Sequence, residues 1–287
     1  MTGLGEGGEL VVENSKGVSQ ILVSADHKLQ SFFTVKGQSY VMLDIGNTRI
    51  KSSLFSNDDL NIKDYFAGDI EGTVDKLGDW NQKHDLKFAC VLSVQKETEK
   101  LLIQKTEGFG FSFFSLPRHF PFLSSNYNLE TIGIDRLAAM VASGYLTDRQ
   151  TPKIIVSAGT ALTVDLIGEN FHHMGGYICA GLGLRLKSLA SCSLLPSVEL
   201  LRDTKVGPAT MTQDSMALGA VHETVAWIQQ LSSNLAGSNE GTEVQLVLTG
   251  GESFALKPYF SNAICEEKLI SIGGNLMLRG GYLEAFA

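Results

Sequence analysis

Tyr40-Val41-Met42-Leu43-Asp44-Ile45-Gly46-Asn47-Thr48-Arg49-Ile50-Lys51-Ser52-Ser53-Leu54-Phe55 is the stretch that decides the fold of this 287-residue chain. Tyr40 to Ile45 is a short apolar run that ends on Gly46-Asn47, a strong turn signal. Ile50 to Phe55 resumes the strand pattern. Together they predict a β-hairpin with polar groups at its tip.

That tip has the parts a phosphate needs. Glycine lets backbone N–H groups approach an anion closely, so Gly46 suits the turn. Asn47, Thr48 and Lys51 supply donors, and Asp44 at the strand end supplies a carboxylate for Mg²⁺ carried by a nucleotide, through water. Taken alone, a D-x-G pair is more often an ordinary turn containing Asn.

The same layout returns further along. Lys153 to Ala158 reads as a buried strand broken by Gly159-Thr160, and Leu162 to Ile167 as the next. Helices are expected over Gly72–His84, Lys96–Lys105, from Gly133 through Tyr145, up to Leu189, and over Met211–Leu235. Leu86–Val94 and Val244–Leu248 read as strands, and Phe109–Phe122 as loop or edge strand. Gly175-Gly176, with Gly181 and Gly183, is expected to punctuate a turn, and Asn275–Phe286 to close the chain as a helix. Two strand–turn–strand units, each followed by helices, imply an internal duplication. The predicted division is an N-terminal extension over residues 1–41, a first domain over 42–150 and a second over 151–287. Weak strand-like runs occur in the extension, at Leu10-Val11-Val12 and Ile21-Leu22-Val23.

Three further segments offer chemistry. Gly133-Ile134-Asp135-Arg136 opens a helix, where an acid caps favourably and an Arg does not. Its functional reading makes Asp135 a general base toward a hydroxyl and gives Arg136 an anionic group to bind. Gly159-Thr160 with Thr163 and Asp165 reads either as a second clamp on a nucleotide or as a simple β-turn. Thr249-Gly250-Gly251, at a strand end, suits backbone packed on something flat or simply a loop. The adjacent His172 and His173 would point to opposite faces of a strand.

Composition narrows the classes. With 23 basic and 31 acidic residues the net charge is −8, which disfavours nucleic-acid binding by general electrostatics. Cys90, Cys179, Cys192 and Cys265 form no C-x-x-C pair and no His stands at zinc spacing, so they read as buried reduced thiols. No run approaches the roughly 20 apolar residues of a membrane span, and no secretory signal is visible. The expectation is a soluble, cytoplasmic protein without nucleic-acid or membrane partners.

Taken in order, the motifs resemble those of the type III pantothenate kinases of the actin-like and sugar-kinase superfamily. They are Asp44-Ile45-Gly46-Asn47-Thr48-x-x-Lys51, Gly133-x-Asp135-Arg136, Gly159-Thr160-Ala161-Leu162-Thr163-x-Asp165, Gly175-Gly176-Tyr177-Ile178 and Thr249-Gly250-Gly251. The resemblance runs from about Met42 to the C-terminus. It implies an α/β fold of two duplicated actin-like (ribonuclease H-like) domains with a nucleotide cleft between them. It implies transfer of phosphate from ATP to pantothenate, the first step of coenzyme A synthesis. Asp44, Gly46, Asn47, Thr48, Lys51 and Thr160 would then bind ATP. Tyr127, Gly133, Ile134, Asp135, Arg136 and Thr212 would hold pantothenate, with Asp135 as the catalytic base. Mg²⁺, a monovalent cation (K⁺ or NH₄⁺) and a homodimer in which Thr212 reaches the partner's site are also implied.

Departures from the family pattern accompany the match. Ser157 stands where the family has an Asp that binds the monovalent cation. Tyr127 to Gly133 is one residue shorter, with Leu129 in place of a Pro; Ala180 and Met211 replace Pro and Asn. Two rival expectations follow: a catalytically weakened relative acting as a transcriptional accessory protein, favoured by Ser157, and a kinase for a sugar or another small alcohol, disfavoured by the G-x-D-R motif.

Overall fold

The computed structural model describes residues 2–4, 10–14, 17–21, 39–56, 61–116, 123–192, 194–200, 207–237 and 243–278. Strands β1 (Thr2–Leu4), β2 (Leu10–Asn14) and β3 (Gly17–Ile21) form a three-stranded antiparallel sheet. The run at Leu10 lies in β2 and Ile21 ends β3, while Leu22 and Val23 fall outside the described residues.

The chain divides into two compact units that interleave along the sequence: Met1–Pro121, Gly133–Val141 and Ser271–Ala287 in one, Phe122–Ile132 and Ala142–Ile270 in the other. The chain thus passes between the units more than once along its sequence.

The first unit is built on the predicted hairpin. β4 (Ser39–Ile45) and β5 (Ile50–Ser56) pair antiparallel, and β6 (Asp64–Gly68) continues the meander. β7 (Leu86–Ser93) then pairs parallel to β4, and β8 (Ser112–Ser115) parallel to β7, for a strand order β6-β5-β4-β7-β8. The parallel steps need crossovers, supplied by α1 (Ile70–His84) and α2 (Lys96–Lys105). α1 starts where the Asp69 side chain accepts from the Gly72 N–H at 2.9 Å, and it stops at Asp85, which is left-handed with φ 49°.

β4 is central, so nearly all its residues are buried. On one face Val41, Leu43 and Ile45 pack with Leu54, Leu77, Trp80, Val91 and Leu102. Burial of a side chain such as Leu77 contributes roughly 2 kcal/mol. On the other face the Tyr40 ring stacks between Phe55 and Phe88. There Tyr40 donates its hydroxyl to Asn275 at 2.6 Å, and Ser53 donates to Ser271 at 2.8 Å. These bonds seat α6 (Leu269–Leu278) on the sheet. Gly273 of α6 lies so close to the Ala138 backbone that a Cβ has no room. Ala138 belongs to α3 (Ile134–Leu146), whose residues from Leu137 to Ala142 are all buried.

The second unit repeats the order. β10 (Lys153–Ala158), β11 (Ala161–Ile167) and β12 (His172–Ala180) form an antiparallel meander. β13 (Gln245–Thr249) pairs parallel to β10 and β14 (Ile264–Cys265) parallel to β13. The short β9 (Ser124–Ser125) adds parallel to β12 at the far edge. Helices α4 (Leu182–Ala190) and α5 (Thr212–Ala236) supply the connection to β13, and Leu182, Leu186, Met216, Val221, Val225 and Ile228 pack with Ile154, Val156, Leu162 and Val164. Matching β4, β5, β6, β7, β8 to β10, β11, β12, β13, β14 superimposes the two strand orders. This is the duplicated actin-like architecture expected from the sequence.

Two local expectations differ. Gly175 and Gly176 lie inside β12, not in a turn. The pairing of β11 with β12 skips Met174, and Gly175 takes φ +128° at that bulge, a conformation suited to glycine. β6 carries no clear strand pattern because it is an edge strand with no buried residue. Within the Phe109–Phe122 segment, Ser112–Ser115 form edge strand β8; Pro117 and Pro121, like residues 279–286 of the expected last helix, lie outside the described residues.

Candidate active site

Asp44 and Lys51 are register partners across the β4–β5 hairpin. Side chains of directly paired residues share a face, so the Lys51 Nζ lies 3.4 Å from Asp44 Oδ2. Gly46 N–H donates to the Arg49 carbonyl at 3.2 Å and closes the turn. A Cβ on Gly46 would stand 3.3 Å from that same carbonyl, which favours glycine here. Asn47 and Thr48 are exposed at the tip, and the Asn47 side-chain carbonyl accepts from Gln95, which precedes α2.

The first turn of α3 brings the second group of residues to this unit. Gly133 accepts from the Leu137 N–H at 3.1 Å and so starts the helix. The Asp135 carboxylate folds back over Gly133, where any Cβ would collide with it. A side chain at position 133 would therefore move the Asp135 carboxylate from this place. Ile134 and Arg136 are buried, and Asp135 is partly open.

Asp44 and Asp135 are near enough to interact. Burial pushes the Asp44 carboxyl above the usual carboxylate range, Lys51 draws it down and the Asp135 charge pushes it up, with a net rise. One unit thus carries Asp44, Gly46, Asn47, Thr48, Lys51, Gly133, Ile134, Asp135 and Arg136.

The remaining sequence candidates lie in the other unit, on separate elements. Thr160 is exposed at the β10–β11 turn, closed by Gly159 N–H donating to the Ala161 carbonyl at 3.1 Å. Gly181 N–H donates to the Thr160 carbonyl at 2.9 Å and lies against Gly159 with no room for a Cβ. Thr212 is exposed at the start of α5, and Tyr127 is exposed just after β9. Gly250, with φ +92°, packs on the Ala158 backbone. Ser157 occupies in β10 the place Asp44 holds in β4, two residues before the turn glycine. Its register partners are Thr163 and Thr249, so three hydroxyl residues stand side by side.

Neither a cluster of three or more metal-ligating side chains nor a helix long and apolar enough to cross a membrane occurs among the described residues.

The profile of the type III pantothenate kinases matches residues 40–234. The chain belongs to the type III pantothenate kinase family. A type III pantothenate kinase from Flavobacterium johnsoniae is 28% identical over 230 residues, covering 77% of this chain and 89% of its own. One from Cellvibrio japonicus is 27% identical over 254 residues, covering 81% and 94%. The crystal structure of a Baf family transcriptional activator from Campylobacter jejuni is similar in fold, with a TM-score of 0.56 at 22% identity, covering 84% and 98% of the two chains. Membership makes this chain a kinase-family enzyme.

Two groups escaped sequence reasoning. His173 joins Asp165 and Ser125 in a buried chain of hydrogen bonds. Glu252 reaches back to the start of α4, where Oε1 accepts from the Gly183 N–H at 3.1 Å. The signals were the opposite faces expected of His172 and His173, the Asp165 already singled out after Gly159-Thr160, and the acid after Thr249-Gly250-Gly251.

Proposed function

We propose that the chain transfers the γ-phosphate of ATP to the primary hydroxyl of pantothenate, giving 4'-phosphopantothenate at the start of coenzyme A synthesis. The observation that carries this reading is the approach of Asp135, on the first turn of α3, to Asp44 on the hairpin beside Lys51. A base and a phosphate-binding turn then serve one reaction centre.

Asp135 accepts the hydroxyl proton as the oxygen attacks the γ-phosphorus, and the bond to the β-phosphate oxygen breaks to release ADP. Arg136 holds the pantothenate carboxylate, for which its planar fork is suited. Gly133 and Ile134 shape the floor of the substrate site and Tyr127 contacts the substrate. Gly46 admits the phosphates to the turn; Asn47, Thr48 and Lys51 donate to them, and Thr160 contacts ATP from its own turn.

A single buried carboxylate is enough for Mg²⁺ that keeps its waters and the nucleotide phosphates, so Asp44 fits that role. When bound, Mg²⁺ neutralises charge on the phosphates. Ser157, Thr163 and Thr249 offer neutral oxygens, a donor set that fits a weakly held monovalent cation, K⁺ or NH₄⁺. A homodimer in which Thr212 contacts the partner's substrate belongs to the same proposal; light scattering at twice the chain mass would support it, and at one chain mass would contradict it.

The second reading is a regulatory protein with weakened catalysis, favoured by the missing charge at Ser157. Turnover with ATP, Mg²⁺ and pantothenate, with and without K⁺ or NH₄⁺, separates the two. Mass-spectrometric detection of 4'-phosphopantothenate supports the kinase. No product under any cation condition leaves the regulatory reading.

A further inference from the structure

β9 is two residues long and pairs parallel to the first two residues of β12: Ser124 with His172 and Ser125 with His173. Alternation sends the two histidines to opposite faces. His172 Nδ1 meets Ser124 Oγ at 2.8 Å and Nε2 meets Asn126 Oδ1 at 3.1 Å, on the exposed side. His173 is fully buried. Its Nδ1 lies 2.8 Å from Ser125 Oγ and its Nε2 lies 3.0 Å from Asp165 Oδ1, on β11, which is also buried.

The chain of bonds does not end at Ser125. The Tyr127 N–H donates to Ser125 Oγ at 2.9 Å, and the Asn126 N–H donates to the His173 carbonyl at 3.0 Å. The Tyr127 ring lies 6.3 Å, centre to centre, from the His173 ring.

One tautomer uses every proton. Tyr127 N–H donates to Ser125, the Ser125 hydroxyl donates to His173 Nδ1, and His173 Nε2–H donates to Asp165, which as a carboxylate only accepts. The three bonds run in one direction, from an exposed backbone to a buried charge. Bonds held away from water are strong, and the loss of one leaves its buried partner unsatisfied. The segment after β9 leads through an Asn128 turn directly to Gly133-Ile134-Asp135-Arg136, with Glu130 N–H donating to Asn128 Oδ1 at 3.0 Å and Thr131 N–H to the Asn128 carbonyl at 3.0 Å.

We infer that Asp165, His173 and Ser125 are positioning residues: a buried relay that fixes the backbone at Tyr127 and so sets affinity for the alcohol substrate, separately from ATP binding and phosphoryl transfer. This rests on the reading of Tyr127 as a substrate contact given above.

Ser125→Ala, in the full chain, breaks the relay at its most accessible member, and Ser125→Thr keeps the hydroxyl. Ser125→Ala is expected to raise KM for pantothenate about tenfold, the effect of one lost hydrogen bond, with kcat and KM for ATP within about twofold. Ser125→Thr is expected to restore KM to within about threefold of the native chain. An unchanged KM for pantothenate, or equal changes in kcat and both KM values, overturns the relay. Hydrogen exchange of residues 123–132 reads the same relay without turnover. Ser125→Ala is expected to speed it about tenfold while the rest of the chain keeps its protection, and unchanged exchange overturns the inference. If the native chain does not phosphorylate pantothenate, the functional reading fails, and the exchange result still decides whether the relay holds the Tyr127 segment.

Discussion

The Asp44 carboxylate stands 3.4 Å from the Lys51 ammonium, on directly paired residues of adjacent antiparallel strands. The pair is not a simple stabilising ion pair. Burial and the Asp135 charge oppose ionisation of Asp44 more than Lys51 favours it, so its carboxyl is raised above the ordinary range. A carboxyl raised by folding contributes its stability below its unfolded value and loses it as pH rises. Ionised Asp44 therefore costs stability at neutral pH. Asp44→Asn is expected to raise Tm at pH 7, with the gain shrinking toward pH 4, while turnover falls at least about a hundredfold. Lys51→Met is expected to lower Tm, because it leaves a buried carboxylate without its partner. Thermal melts of both variants across pH check the pair of signs. A lower Tm for Asp44→Asn contradicts them.

Gly133 has a narrower role. A methyl group there would displace the Asp135 carboxylate. A small misplacement of a reacting group costs about a hundredfold in rate. Gly133→Ala is expected to reduce kcat by that order with ATP affinity nearly unchanged, as steady-state kinetics and calorimetry would record. Full activity in this variant would show that Asp135 does not need its present position.

Ser157 sits where Asp44 sits in the other half of the duplication, and it carries no charge. Ser157→Asp adds a carboxylate beside Thr163 and Thr249. It is expected to lower the K⁺ concentration for half-maximal activation about tenfold, by direct attraction. An activity titration with K⁺ against a choline background measures this. No change in K⁺ response would remove position 157 from the cation site.

Lys153 is buried, donates to the Asp148 carbonyl at 2.8 Å and lies 5.4 Å from the Phe171 ring centre. Burial pulls its ammonium down to about 8. The unfolded chain then binds more protons than the native one between that value and the ordinary 10.5, so stability rises with pH across this window. The gain amounts to at most about 3 kcal/mol. Lys153→Met removes the charge, keeps all but one atom of the side chain's length, and is expected to flatten that rise in urea melts from pH 7.5 to 10.5. An unaltered slope would show that Lys153 is not its source.

How much of this was legible in the sequence depended on where each pattern acts. The central strands β4, β7 and β10 declared themselves by continuous apolar runs, because both their faces are covered. The long α5 and the start of α3 were visible from periodicity. Edge strand β6 was not, since it buries no residue and has no apolar alternation to show. Gly175-Gly176 read as a turn because the sequence does not distinguish a turn glycine from one that relaxes a bulge. The motif residues Asp44, Lys51, Gly133 and Asp135 could be named in advance, and their mutual approach needed the fold. The relay through His173 was half legible: the opposite faces of His172 and His173 followed from strand geometry. Its partners Asp165 and Ser125 lie 8 and 48 positions away and meet only through strand pairing.

The most direct measurement compares the native chain with Asp135→Asn, each given ATP, Mg²⁺ and pantothenate, with ATP affinity measured in parallel. The account predicts 4'-phosphopantothenate from the native chain and a loss of turnover of about a hundredfold or more in the variant, at ATP affinity within about threefold. Turnover retained by Asp135→Asn, or none by the native chain, would contradict it.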